Sequence, residues 1–93
     1  MLVAFMCFDK PGQVDLRLKN RPNHLEWIQG AAEKVVYAGP MLTDDGQTPT
    51  GSLIVADFDS VAAARAFQKT DPYEKAGLFE RVIVTATRKV LPA

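Results

Sequence analysis

His24 is the chain's only histidine and the only side chain whose ordinary pKa places a proton exchange near neutrality. Any acid–base chemistry therefore starts there. An imidazole does such work when a carboxylate fixes the tautomer at one ring nitrogen and leaves the other free to take a proton, and Asp71 is a candidate for that carboxylate. Each residue also has a plainer reading. A lone histidine on a helix flank is readily a structural group bonded to a backbone carbonyl or to water. Asp71-Pro72 is common turn chemistry at a helix end. If one helix carries both residues, Arg17 lies two turns back from His24 on nearly the same line.

The remaining reactive types form weaker constellations. Cys7 is the only cysteine, so no intrachain disulfide and no multi-cysteine metal site is possible; a small buried hydrophobe on a strand is the expected reading. Asp44-Asp45-Gly46 resembles the start of a calcium loop but lacks the later ligands and reads as a turn. One histidine with scattered carboxylates offers no convincing metal shell, and no glycine-rich phosphate motif precedes a helix. Neither a metal nor a cofactor is expected. Trp27 and Tyr37 read as packing residues rather than ligand stackers, and Ser52 has no base beside it in sequence.

These residues need elements to bring them together. Residues 2–8 are apolar and rich in aromatic and branched types, closed by Pro11-Gly12, and predict a strand. Over 15–32 the spacing turns helical, with Leu18, Leu25, Ile28 and Ala32 on one stripe. Pro22 interrupts it, so either the helix proper begins near Pro22 or an earlier turn runs into it with a kink. A short strand is predicted at 35–38, ended by Gly39-Pro40, then a loop over 44–51 and a third strand over 52–58. Asp59 or Ser60 can cap an alanine-rich helix over 61–69, which Asp71-Pro72 ends. A turn over 73–77 and a long final strand over 79–91 complete the order βαββαβ.

That order predicts an α+β, ferredoxin-like sandwich: one antiparallel four-stranded sheet with two helices on one face. Both alternating sets of the first strand are apolar, Leu2, Ala4, Met6 and Phe8 on one side and Val3, Phe5 and Cys7 on the other. The set that faces away from the helices is expected to meet a second copy of the chain, as a homodimer through the helix-free face.

The 93 residues fit a single domain over 1–93, with an apolar fraction of 47% and a charged fraction of 24% in the globular range. Lys plus Arg equal Asp plus Glu at 11 each, so no net field attracts phosphate backbones or anionic lipid, and no nucleic-acid partner is expected. The apolar N-terminal run is too short for a membrane span and lacks basic residues ahead of it. A cytoplasmic protein is expected, since one cysteine suits a reducing compartment.

Arg17, Arg21-Pro22-x-His24-Leu25, Ala38-Gly39-Pro40, Asp45-Gly46, Gly51-Ser52-Leu53 and Asp71-Pro72-Tyr73-x-x-Ala76-Gly77-Leu78 together resemble the YCII-related (YciI-like) family of the dimeric α/β-barrel superfamily. The resemblance covers most of the chain. It implies a protomer that pairs through its sheet, with a pocket between sheet and helices. It also implies a His–Asp catalytic dyad, which maps onto His24 and Asp71, and one characterised type in the family is a cofactor-free dehydrochlorinase acting on a chlorinated hydroxyquinol.

The expectation is thus a small cofactor-independent enzyme doing acid–base chemistry on a small cyclic or phenolic substrate, of lyase or isomerase type. Arg17 would hold an oxyanion or carboxylate, and Tyr73, Ser52 and the backbone near Gly39 would line the pocket. The alternative is a non-catalytic ligand-binding or assembly module. A solvent-reachable cavity at the pair favours the enzyme; a pair packed away and bonded to backbone favours the module.

Overall fold

The computed structural model describes the whole chain, Met1–Ala93. Its elements run β1 (Leu2–Asp9), α1 (Val14–Gln29), a 3-10 turn (Ala32–Lys34), β2 (Val35–Leu42), β3 (Pro49–Asp57), α2 (Val61–Gln68), α3 (Pro72–Lys75) and β4 (Phe79–Thr87). The strands form one antiparallel sheet in the order β2-β3-β1-β4, with the helices on one face. The predicted βαββαβ architecture is present.

The register decides which side of each strand meets the helices. Val3, Phe5 and Cys7 pair with Ala56, Ile54 and Ser52 on β3 and with Ala86, Val84 and Val82 on β4. On β1 and β3 this set is buried, and Phe5 sits edge-on to Phe58 and Phe67. Val3 and Phe5 therefore belong to the helix-side core. Leu2, Ala4, Met6 and Phe8, with Leu53, Val55 and Ile83 beside them, form the helix-free face and are only half-buried.

Several boundaries differ from expectation, among them the start of β3 at Pro49, within the segment expected to be loop. Pro22 lies inside one continuous helix, α1, which begins at Val14. The ring removes one backbone donor there. Gly39 and Pro40 are inside β2 rather than ending it, because β2 is an edge strand, where a residue without an N–H is tolerated. Pro40 still pairs in register with Ser52. The segment after Asp71 is a short helix, α3, instead of a turn, with Gly77 closing it at φ 75°. The Gly77 and Leu78 amides donate to the carbonyls of Glu74 and Tyr73, which ends the helix and turns the chain into β4. Finally, β4 stops at Thr87, short of residue 91.

The predicted α1 stripe is also only partly a core stripe. Ile28 is buried, but Leu18 is 56% exposed and Ala32 is exposed, while Arg17 is buried. Part of α1 covers a cavity instead of a packed core. Of the two candidate caps for α2, Ser60 is the one used, accepting from the Ala63 amide at 3.0 Å.

Candidate functional site

Asp71 is the N-cap of α3, and Pro72 at the first helical position is pre-set for the turn that follows. Its Oδ1 accepts from the Tyr73 amide at 2.9 Å and lies 2.9 Å from Nδ1 of His24 on α1. One oxygen thus does both tasks. Asp71 is 1% exposed, whereas the His24 side chain keeps 12%. With Nδ1 committed to the carboxylate, Nε2 is the nitrogen left for chemistry.

Tyr73 follows directly and is itself buried; its ring stacks on the His24 imidazole with centroids 4.1 Å apart at 15°. The Arg17 guanidinium carbon lies 4.4 Å from the centre of the same ring. Burial pushes the Tyr73 phenol above its ordinary value, against the positive charge of Arg17; Asp71 adds to the rise, and Arg21 opposes it. The phenol stays protonated and can donate a hydrogen bond at neutral pH.

Arg17, two turns before His24, is held by Asp9 at the end of β1: Nε donates to Oδ2 at 2.7 Å and Nη2 to Oδ1 at 3.0 Å. Nη2 also donates to the Ser52 hydroxyl at 2.9 Å. Both members of the ion pair are almost wholly buried. Burial alone would lower the Arg17 pKa, but the Asp9 hydrogen bond and charge outweigh it and leave the guanidinium more firmly protonated than usual. Ser52 is thus no isolated strand serine: it is buried beside this pair.

A cavity of about 240 Å³ opens between α1 and the β2–β3 hairpin. Arg17, His24, Gly39, Ser52 and Tyr73 all line it, with Leu18, Leu25, Ile28, Ala38, Pro40 and Leu42 supplying apolar wall. Of the six residues singled out from sequence, only Asp71 is absent from the wall, standing behind His24. Gly39 contributes backbone alone, and a Cβ there would come within 3.0 Å of the Tyr37 hydroxyl.

Two charged residues of the site were given no site role from the sequence, although Arg21 stands in the motif that carries the family resemblance. Asp9 read only as the end of a strand, and no local signal tied it to Arg17. Arg21 lines the cavity one turn before His24; helical spacing from Arg17 and His24 could have found it.

Around this site, Trp27 stacks on Phe67 at 4.3 Å and donates from Nε1 to the Thr70 hydroxyl at 2.8 Å, so it packs as expected. Tyr37 does not: it is exposed on β2. Cys7 is buried, and desolvation, with the Asp71 and Glu74 charges adding to it, raises its thiol to about 12. No three His, Cys, Asp or Glu side chains converge in an arrangement that could hold a metal ion. No helix is long and apolar enough to cross a membrane.

The antiparallel sheet, one-sided helices and cavity at their seam define a ferredoxin-like α+β protein of the dimeric α/β-barrel class. Within that class the chain belongs to the YCII-related domain family, whose profile matches residues 1–88. It is 37% identical over 97 residues to protein YciI of Escherichia coli O6:H1, covering 97% of this chain and 99% of that protein. Among solved structures it resembles the 5-chloro-2-hydroxyhydroquinone dehydrochlorinase TftG of Burkholderia phenoliruptrix AC1100, in complex with 2,5-dihydroxybenzoquinone, at 30% identity and a TM-score of 0.88 over 95% of this chain and 94% of that one. An antibiotic biosynthesis monooxygenase shares the fold alone, at 15% identity and a TM-score of 0.52 across 96% of this chain.

Proposed function

We propose that this protein is a small enzyme that needs no cofactor and moves a proton on a compact cyclic or phenolic substrate, with His24 as the base and Asp71 holding it. The observation that carries the reading is the 2.9 Å contact between His24 Nδ1 and a buried Asp71, made where His24 forms part of a cavity wall. That arrangement leaves Nε2 to meet a ligand, and the carboxylate stabilises the imidazolium formed when Nε2 takes a proton. The likeness to TftG, a dehydrochlorinase, supports the same direction.

In this mechanism Nε2 removes a proton from a substrate hydroxyl or from a ring carbon next to a carbonyl. The pair left on the ring carbon expels a leaving group from the adjacent carbon, which is elimination; alternatively the enolate formed from either starting point takes up a proton at another position from the His24 imidazolium, which is isomerisation. In the first case the leaving group departs as an anion, and His24 later passes its proton to water. Arg17 and the Tyr73 hydroxyl donate to the oxygen on which charge builds, while Ser52 and the Gly39 backbone shape the cavity around the ring. Asp71, turned away from the cavity, acts through the imidazole.

The test is turnover of 5-chloro-2-hydroxyhydroquinone, followed by chloride release and ultraviolet absorbance. Release by the intact protein, falling by about 10²-fold or more in His24→Ala, is the expected result. A folded protein that binds the phenol without turning over any chlorinated or isomerisable analogue would assign the cavity to ligand binding alone.

We further propose that the chain works as a homodimer in the cytoplasm, paired through the helix-free face. Leu2, Ala4, Met6, Phe8, Leu53, Val55 and Ile83 make that face apolar across three strands, and a second copy is the simplest partner for so small a chain.

A further inference from the structure

The cavity wall carries cationic and proton-donating groups but no carboxylate. Arg17, Arg21 and His24 all face it from α1, whereas the two acidic groups of the site, Asp9 and Asp71, stand behind the wall. Each carboxylate is already matched: Asp9 is bonded to Arg17, and Asp71 is bonded to His24 and to the Tyr73 amide. Arg21 has no such partner. Its side chain forms no ion pair and no hydrogen bond within the protein, although its charge reaches the buried Tyr73 phenol. A guanidinium that is half of a buried pair adds little net attraction for an incoming anion, while an unmatched one at the rim adds its full charge.

We propose that Arg21 selects and orients the ligand: it binds an anionic oxygen of a small planar mono-anion at the cavity mouth and turns the ligand's acidic position toward Nε2 of His24. The substrate class is a ring bearing a carboxylate, phenolate or enolate oxygen. The proposal rests on the reading of this cavity as a substrate site and adds the charge of the substrate to it. Arg21 and His24 are one helical turn apart, at a Cβ spacing of about 5–6 Å, so anchor and base span about the width of one ring. The apolar residues Leu18, Leu25 and Pro40 grip the ring faces between them.

A matched pair of probes tests this, 2,5-dihydroxybenzoate and its neutral isostere 2,5-dihydroxybenzamide. Their binding is read from the fluorescence of Trp27, the single tryptophan, whose ring centre is 5.5 Å from that of His24. The intact protein should bind the carboxylate at least about tenfold more tightly than the amide, as expected for one charge-assisted contact at a partly open site. Arg21→Gln should bring the two affinities together by weakening the carboxylate only, and Arg21→Lys should keep most of the preference. Arg21 is exposed and unpartnered, so its variants fold, which an unchanged urea midpoint verifies. Equal binding of both probes to the intact protein, or a preference that survives Arg21→Gln, overturns the anchor and leaves the cavity reading standing. Failure of the folded protein to bind either probe overturns both.

Discussion

Asp71 separates a structural from a functional role within a single carboxylate, because Oδ1 serves both the α3 cap and His24. In Asp71→Ala the cap is lost, at about 1 kcal/mol. His24 Nδ1 is then left without its acceptor in a largely buried place, at about 1–3 kcal/mol for such a group. Together the destabilisation comes to about 2–4 kcal/mol, within the roughly 5–15 kcal/mol of a typical domain, so the variant folds but unfolds at clearly lower urea. Asp71→Asn keeps an oxygen in the same place, and Asn caps a helix about as well as Asp. Its stability should therefore change by less than about 1 kcal/mol, but it cannot offset the imidazolium charge. Turnover should fall by about 10²–10⁴-fold. Urea unfolding followed by Trp27 fluorescence gives the first quantity, and initial rates on the chlorinated phenol give the second. His24→Ala combined with Asp71→Asn should lose little more than the worse single variant, as groups working as one unit do. If Asp71→Asn turns over within about threefold of the intact protein while Asp71→Ala shows the expected loss of stability, Asp71 is a helix cap and nothing else.

Replacing Asp9 by Asn should destabilise the protein by about 3–5 kcal/mol in urea titration, because it strands the buried Arg17 charge. Cys7 should resist alkylation in the native state at pH 8 and react quickly once the protein is unfolded in urea. Its thiol is raised from 9.0 to about 12, so the stability that its neutral form contributes is intact below pH 9 and is lost as pH climbs from there toward 12; unfolding midpoints across that window measure the decline. On the helix-free face, Met6→Asp should yield a folded monomer by light scattering, whereas Phe5→Asp, on the core side, should unfold the chain. A monomeric mass for the intact protein at micromolar concentration would refute the dimer.

The order of elements was legible because it rests on local physics. A continuous apolar run rich in aromatic and branched residues marks β1, alanine with a serine cap marks α2, and β-branched residues mark β4. The types at His24 and Asp71 gave the candidate pair, and the βαββαβ order put α1 beside the segment that follows α2, which made their approach expected. What needed the tertiary structure were the places where a neighbour overrides a local preference. Pro40 continues a strand because its missing N–H falls on an edge, and Pro22 sits within a single helix. Arg17 is buried where a stripe would put leucine, because Asp9 on β1 and Ser52 on β3 supply its acceptors. Leu18 is exposed because the helix roofs a cavity there instead of packing on the sheet. Periodicity reports a residue's own helix or strand and carries no information about what stands opposite. Which charges meet, and which of them is left unmatched to face a ligand, is decided only when the elements are assembled.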